Sequence, residues 1–231
     1  MAPQQPSDSS RGQETREALI QAALEIFGRD GFDAASTRAI AEAARANQAL
    51  IGYHFGGKEG LYHAVFEHIA ARLGERLQPV ASAIREQVAG IAVIDVTPET
   101  RLERFLPPLL RLTDTFTAVL AGEEAGPWAR LILREQQAPS PAFDLLYARM
   151  MGPLADLVAR LVAAIIGANP RSKRVELLVF TVLGQALTFR AARASVLRRT
   201  GWTGIGPSEL SQVQARIRRN VEAILRAEVT S

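Results

Sequence analysis

Between Thr37 and Lys58 the chain carries a run of side chains that can read or grip a nucleic acid: Thr37, Arg38, Asn47, Gln48, Tyr53, His54 and Lys58. A glutamine amide offers a donor beside an acceptor, the pattern that pairs with N6 and N7 of adenine. A tyrosine hydroxyl, an imidazole and an ammonium can each donate to phosphate oxygens. Covalent or acid–base chemistry has no comparable basis. No Ser-His-Asp, Cys-His or paired-carboxylate arrangement has a structural argument behind it, so no enzymatic activity is expected. His63 and His68 are not at the i, i+4 spacing of two ligands on one helix face, and the chain has no cysteine. No metal site and no cofactor are expected. Gly204-Ile205-Gly206-Pro207 follows no strand and stops short of a nucleotide-binding fingerprint.

Two short helices must position the run. In the first, Ile40, Ala43 and Ala44 recur at i, i+3 and i+4 as an apolar face, and Ser36 stands before it as an N-cap. Arg45-Ala46-Asn47 breaks the pattern, and Asn47 can cap the next helix. That helix, Gln48 to His54, buries Ile51 with Phe55 behind it. It leaves Gln48, Ala49, Gly52, Tyr53 and His54 on other faces. Two short helices around a tight turn make a helix-turn-helix, whose second helix enters a DNA major groove. Gln48 opens that second helix, where side chains reach base edges. A solvated surface glutamine is the alternative reading.

The segment Thr37-Arg38-Ala39-Ile40-Ala41-Glu42-Ala43-Ala44, then Tyr53-His54-Phe55, Lys58-Glu59 and Leu61-Tyr62, resembles the DNA-binding domain of TetR-family repressors. The likeness extends upstream through Ala22-Ala23, Phe27 and Gly31-Phe32, and runs without a gap over residues 14 to 66. It implies phosphate contacts for Tyr53, His54 and Lys58. It also implies a phosphate or groove-edge contact for Thr37, with Arg38 beside it. Packing between helices is the alternative for Tyr53. Gly52 departs from the family pattern, which often has a larger residue there, commonly tyrosine. Glycine costs a helix about 1 kcal/mol relative to alanine. It either allows close backbone approach to DNA or removes a contact.

Composition bounds the rest. At 231 residues the chain can hold one large domain or two small ones, and 48% apolar residues suffice for a sizeable core. No signal peptide is visible. The longest uncharged apolar stretch, between Glu176 and Arg190, is shorter than the roughly 18 residues of a membrane span. A cytoplasmic protein without a membrane partner is expected. The net charge is +3, yet residues 1–65 hold six Arg and Lys against eight Asp and Glu. Overall charge therefore does not locate a DNA-binding face.

Along the chain, residues 1–13 read as a disordered tail. A first helix from Glu14 to Gly28 buries Leu19, Ala22, Ala23, Ile26 and Phe27, and Phe32 packs under the helix-turn-helix. A long helix begins at Lys58, and Pro79 should kink or end it. Residues 80–93 look weakly helical, and Asp95 to Thr97 form a loop. Thr97-Pro98-Glu99 starts a helix, which Pro107-Pro108 should kink or split. Gly122 to Pro127 is a loop, and Trp128 to Gln137 a short helix. Residues 142–167 form the strongest helix and should be central. Asn169-Pro170 starts another that runs to Thr200, apolar nearly all round from Leu177 to Phe189. Ser208 caps a last helix with Leu210, Val213, Ile217, Val221 and Leu225 on one stripe.

The expectation is an all-α chain of nine or ten helices. A helix-turn-helix DNA-binding domain spans 14–62, and a larger helical ligand-binding and dimerisation domain spans 63–231. The body segments LILREQQAPSPAFDLLYARMMGPL and VFTVLGQALTFRAARASVL resemble the C-terminal region of CecR-like TetR regulators. Phe116, Trp128, Arg134, Phe143, Tyr147, Met150, Phe180, Gln185 and Phe189 can line a small-molecule cavity there, or simply form a core. Arg134 and Gln185 are the sharpest, because a buried Arg or Gln needs a partner. An ion pair from Arg134 to Glu135 or Asp144 would serve equally. The reading is a one-component transcriptional repressor: a homodimer that binds a double-stranded DNA operator and is released by a small-molecule effector. The alternative is an all-α ligand-binding or enzymatic protein with a vestigial helix-turn-helix.

Overall fold

The structure, a computed structural model, describes residues 8–88 and 97–230. Part of the expected tail (1–7), the end of the weak helix (89–93) and most of the loop before Thr97 lie outside the described residues. The elements are α1 (Asp8–Asp30), α2 (Thr37–Ala43), α3 (Ala49–Phe55), α4 (Lys58–Val88), α5 (Pro98–Ala121), α6 (Ala125–Gln137), α7 (Pro141–Leu146), α8 (Gly152–Ile166), α9 (Lys173–Ala191), α10 (Arg193–Thr200) and α11 (Pro207–Thr230). A π-helical turn, Tyr147–Met151, joins α7 to α8 without a break. The described residues therefore form ten helical rods and no strand.

Several boundaries differ from the sequence pattern for identifiable reasons. Residues 8–13 are helical rather than tail. Side chains tie this turn to the next: Thr15 Oγ1 donates to Arg11 O at 2.8 Å and Gln13 Nε2 to Glu17 Oε1 at 2.8 Å. Neither Pro79 nor the pair Pro107-Pro108 ends its helix. Pro79 is exposed, so water can satisfy the carbonyl it orphans. Gly126 and Pro127 belong to α6, because a proline in the first turn forfeits no helical hydrogen bond. The π-helical turn precedes Pro153, which lacks the N–H for a regular i→i−4 bond. The expected helix to Thr200 starts only at Lys173, where Ser172 caps it. It breaks again at Ala192 with a bend of 74°.

The chain forms two compact units. The first holds the residues up to Arg72 together with Gly126–Tyr147; the second holds Leu73–Ala125 and the residues from Ala148. Helices α6 and α7 thus group with the N-terminal helices. No single helix among the described residues is long and apolar enough to cross a membrane.

The first unit is built on Tyr62, in the second turn of α4. Its ring lies 4.9 Å edge-on to Phe27 of α1, 4.9 Å from Phe32 and 5.0 Å from Phe66. Such contacts add about 0.5–1.5 kcal/mol each beyond area burial. The Tyr62 hydroxyl donates to Glu135 Oε1 of α6 at 2.8 Å. Glu135 is only 3% exposed and also accepts from the Ser140 backbone N–H at 2.8 Å and the Ser140 hydroxyl at 2.9 Å. The buried carboxylate thus receives the donors it needs. Burial, then Glu135, push the Tyr62 pKa up from its ordinary value of 10, so the hydroxyl stays a donor. Also from α6, Arg130 Nε donates to Gly28 O at 3.3 Å and Arg134 Nη2 to Arg29 O at 3.2 Å. Two arginines therefore satisfy carbonyls at the C-terminal end of α1.

The second unit is centred on α5, which packs against α8, α9 and α11. Leu109 and Leu112 of α5, Val158 and Val162 of α8, and Val179 and Val182 of α9 are fully enclosed. Asp114 of α5 pairs with Arg218 of α11, and its backbone carbonyl accepts from Gln214 Nε2 at 3.0 Å. The α11 stripe Val213, Ile217, Val221 and Leu225 is buried inside this unit, at 0–3% exposure. Those residues face their own core and are not spare surface. The face left open belongs to α9: Leu177 is 69% exposed, Phe180 67% and Leu187 41%.

Two stability measurements check these assignments. Tyr62→Phe leaves Glu135 short of a donor and should cost about 1–3 kcal/mol in urea unfolding. An unchanged midpoint would remove that bond from the account. Val221→Glu buries an unpaired carboxylate and should cost about 3 kcal/mol or more. A variant that unfolds normally and merely changes its assembly state would place Val221 at an interface instead.

Candidate nucleic-acid interface

Helix α2 begins as the sequence implies: Ser36 Oγ accepts from the Ala39 N–H at 3.4 Å. Its buried face is Ile40 and Ala41, whereas Ala43 is exposed and Ala44 half-exposed. The i+3 and i+4 positions fall in the last turn, where the chain already leaves the helix. The turn closes by two reverse hydrogen bonds, Ala46 N–H to Ala41 O at 2.9 Å and Arg45 N–H to Glu42 O at 3.1 Å. This pattern requires a left-handed residue between them. Arg45 takes that place at φ 53°, the one non-glycine with positive φ among the described residues. Left-handed backbone costs an ordinary residue on the order of 1 kcal/mol. Sequence reasoning missed Arg45 as a candidate. It is an exposed cation on the turn itself, and only its charge was legible.

Asn47 Oδ1 accepts from the Ala49 N–H at 2.9 Å and so starts α3 as expected. Helix α3 ends at Gly56 in the left-handed region (φ 74°), and Gly57 follows at φ 131°. Gly60 then lets α4 run against α3: a Cβ there would stand 1.8 Å from Phe55 O. Ile51 anchors α3 in the core, while Phe55 is half-buried with the Arg16 guanidinium 5.3 Å over its ring. Together these contacts fix which side of α3 looks outward.

Asn47, Gln48, Ala49, Gly52 and Tyr53 are exposed, and Tyr53 reaches 82%. Its ring meets His54 edge-on at 5.0 Å. A Cβ on Gly52 would meet nothing within 4 Å, so internal packing does not demand glycine there. Gln48 Nε2 donates to Thr37 Oγ1 at 3.0 Å, which links the first residue of α2 to the start of α3. Arg38 pairs with Glu42 one turn along at 2.9 Å, which raises the Arg38 pKa. This pair is exposed and worth little, so a phosphate can displace it. Lys58 donates to Asp33 O at 3.1 Å and sits 4.7 Å over the Phe32 ring. An ammonium has three hydrogens, so this one bond does not exhaust its donors.

The nine residues considered for a ligand cavity are spread over both units. Trp128, Arg134, Phe143 and Tyr147 belong to the first, and Phe116, Met150, Phe180, Gln185 and Phe189 to the second. Phe143 and Tyr147 approach with ring centroids 6.0 Å apart. Trp128 and Phe143 are half-buried and Tyr147 is exposed. Arg134 borders a cavity of about 570 Å³ in the first unit, with Phe32, Tyr62, His63, Glu135 and Ser140. Arg134 is exposed rather than buried, and it donates to Arg29 O rather than pairing with Glu135 or Asp144. Met150 borders a small hollow of about 60 Å³ with Leu77, Ala81 and Leu157. Phe116 is buried on α5, Phe189 is half-buried on α9, and Phe180 lies on the open face of α9. Both amide atoms of Gln185 are buried without a hydrogen-bond partner.

Comparison with known proteins places the chain in a family. Residues 19–65 match the model of bacterial regulatory proteins of the tetR family, and residues 101–228 match the C-terminal domain of the HTH-type transcriptional dual regulator CecR. The CecR protein of Shigella flexneri is 31% identical over 95% of this chain and 95% of its own length. Among solved structures, a TetR-family regulator from Mesorhizobium loti aligns with a TM-score of 0.58 at 19% identity, covering 95% of this chain and 97% of its own. AibR, solved in complex with isovaleryl coenzyme A and operator DNA, aligns at 0.61 and 16% identity, covering 88% of this chain and 96% of its own. The chain belongs to the TetR family of DNA-binding transcriptional regulators, with a C-terminal region of the CecR type.

Proposed function

We propose that this regulator is a homodimeric repressor that leaves its operator when a small molecule binds its body. The observation that carries the DNA half is the outward side of α3. Gln48, Ala49, Gly52 and Tyr53 stand exposed on a short helix whose other side is anchored by Ile51 and pressed against α4 at Gly60. In this reading Gln48 reads a base edge. Thr37, Arg38, Tyr53, His54 and Lys58 hold phosphates, and Asn47 and Ala49 border the same groove. Gly52 leaves space for a sugar-phosphate strand.

Gln185 supports the effector half. An amide buried with neither donor nor acceptor used costs about 1–3 kcal/mol, which a ligand bearing a complementary polar group offsets. Phe116 and Phe189 supply apolar surface in the same unit, so the class is a mainly apolar molecule with an amide-binding polar group. Met150 of the same unit is a secondary candidate for its surroundings, whereas Trp128, Arg134, Phe143 and Tyr147 belong to the first unit and are not assigned to this site. Phe180 is assigned to the partner protomer instead. With Leu177 and Leu187 it makes an exposed stripe on α9 at helical spacing, and a two-fold axis can bury such a stripe against its own copy.

The test is binding of the purified protein to duplex DNA covering its own upstream region. Lys58→Ala should weaken binding to all duplexes alike and flatten the salt dependence by about one phosphate. Gln48→Ala should cost about 1–3 kcal/mol at one base pair only. Identical behaviour of the two variants across single-base changes would defeat the division of roles. Phe180→Glu should yield folded monomer in sedimentation at micromolar concentration, with weakened operator binding. Effector binding and operator binding should oppose each other by one common factor, and Gln185→Leu should reduce that factor while sparing DNA affinity. A ligand that binds free and DNA-bound protein equally would refute the coupling.

A further inference from the structure

We propose that Thr37 is a positioning residue for base recognition: its hydroxyl fixes the orientation of the Gln48 amide and so makes that glutamine select adenine over guanine. The inference rests on the reading of α3 as the DNA-reading helix. Its starting point is the 3.0 Å hydrogen bond from Gln48 Nε2 to Thr37 Oγ1. Gln48 is exposed and Thr37 half-exposed, so packing does not hold the amide; this bond does.

The hydrogen-bond inventory decides the outcome. A threonine hydroxyl has one hydrogen to give and lone pairs to accept. A glutamine amide has two N–H donors and one acceptor oxygen. When Nε2 points at Thr37, the hydroxyl accepts from it and keeps its own hydrogen for a phosphate. Were the amide flipped, Thr37 would have to donate to Oε1 and could no longer serve a phosphate. A phosphate on Thr37 therefore selects the first orientation. In that orientation Gln48 turns Oε1 and one N–H outward.

One acceptor beside one donor matches adenine, which presents N6–H₂ and N7. It does not match guanine, which presents two acceptors, O6 and N7, and would require both amide hydrogens. One of those is already spent on Thr37. Without the hydroxyl, both hydrogens are free and the amide can serve either purine. Thr37 thus joins backbone positioning to base reading through a single hydroxyl.

The experiment uses the full chain. A pool of duplexes randomised over about two helical turns is first put through selection by the wild-type protein. The selected duplex and all its single-base replacements are then titrated against wild type, Thr37→Val, Thr37→Ser and Gln48→Ala. Wild type and Thr37→Ser should prefer A·T over G·C at one position per half-site by roughly five- to 150-fold. Gln48→Ala should lose that preference. Thr37→Val should bind all duplexes less tightly and lose the adenine-over-guanine preference at the same position, with other positions unchanged. Combining Thr37→Val with Gln48→Ala should remove no further base preference. Uniform weakening by Thr37→Val with the preference intact would reduce Thr37 to a phosphate contact and overturn the proposal. So would a Thr37→Val protein that matches wild type. If Thr37→Val unfolds at a lower temperature than wild type, Thr37→Ala replaces it under the same criteria. A wild type that enriches no sequence, or a Gln48→Ala protein with unchanged preferences everywhere, would instead bring down the DNA-reading role of α3 and this inference with it.

Discussion

The first unit depends on keeping Tyr62 buried with its hydroxyl satisfied. The ring gathers Phe27, Phe32 and Phe66, so it determines where α1 and the loop before α2 lie against α4. The hydroxyl cannot be left unpaired in that setting, and Glu135 takes it. Glu135 would in turn be a costly buried charge, and Ser140 supplies the remaining donors. One aromatic residue therefore requires an acid on α6, and that acid requires the serine that also caps α7. The docking of α6 and α7 is part of the same arrangement that holds the helix-turn-helix.

Charge is handled sparingly in this unit. Its first 65 residues are net acidic, so a broad positive surface is not available for DNA. Asp30 and Glu42 are each engaged by a neighbouring arginine, which lowers the Asp30 pKa and raises that of Arg38. Both pairs are exposed and contribute little to stability. The Arg38 pair does neutralise Glu42 on the helix that carries Thr37. Recognition then falls to a few donors in fixed places, which favours geometry over net field.

The helix-turn-helix was largely legible because local rules govern it. Ser36 and Asn47 cap as their types predict, Ile40 and Ile51 are buried, and the glycines after Phe55 end α3. The body was legible as helices but not as packing. The α11 stripe and the apolar girth of α9 look alike in sequence, yet Val213, Ile217 and Val221 are enclosed while Leu177 and Phe180 are not. Periodicity gives a face but not its neighbour. The prolines at 79, 107 and 108 left open whether a helix ends there, for a related reason; none of them ends its helix. A missing N–H breaks a helix only when tertiary contacts or water do not compensate, and sequence does not show those contacts. The Glu135 network was out of reach because Tyr62 and Glu135 are 73 residues apart, in two separate segments of likeness that do not show which residues meet.

What remains are places where the chain departs from good folding practice with no compensation inside itself. Gly52 forfeits about 1 kcal/mol of helix stability although nothing would clash with a side chain there. Arg45 holds a left-handed backbone that glycine would adopt at no cost. Tyr53, Leu177 and Phe180 are large, apolar and uncovered. Gln185 hides an amide with no partner. A sequence selected only for folding would remove each of these defects by a single substitution, and local conflicts of this kind concentrate where function sets the residue. Their grouping is informative. The first three residues flank or lie on α3, Leu177 and Phe180 share one stripe of α9, and Gln185 belongs to the interior of the second unit. In the proposed reading each group meets one partner: DNA, a second protomer and an effector.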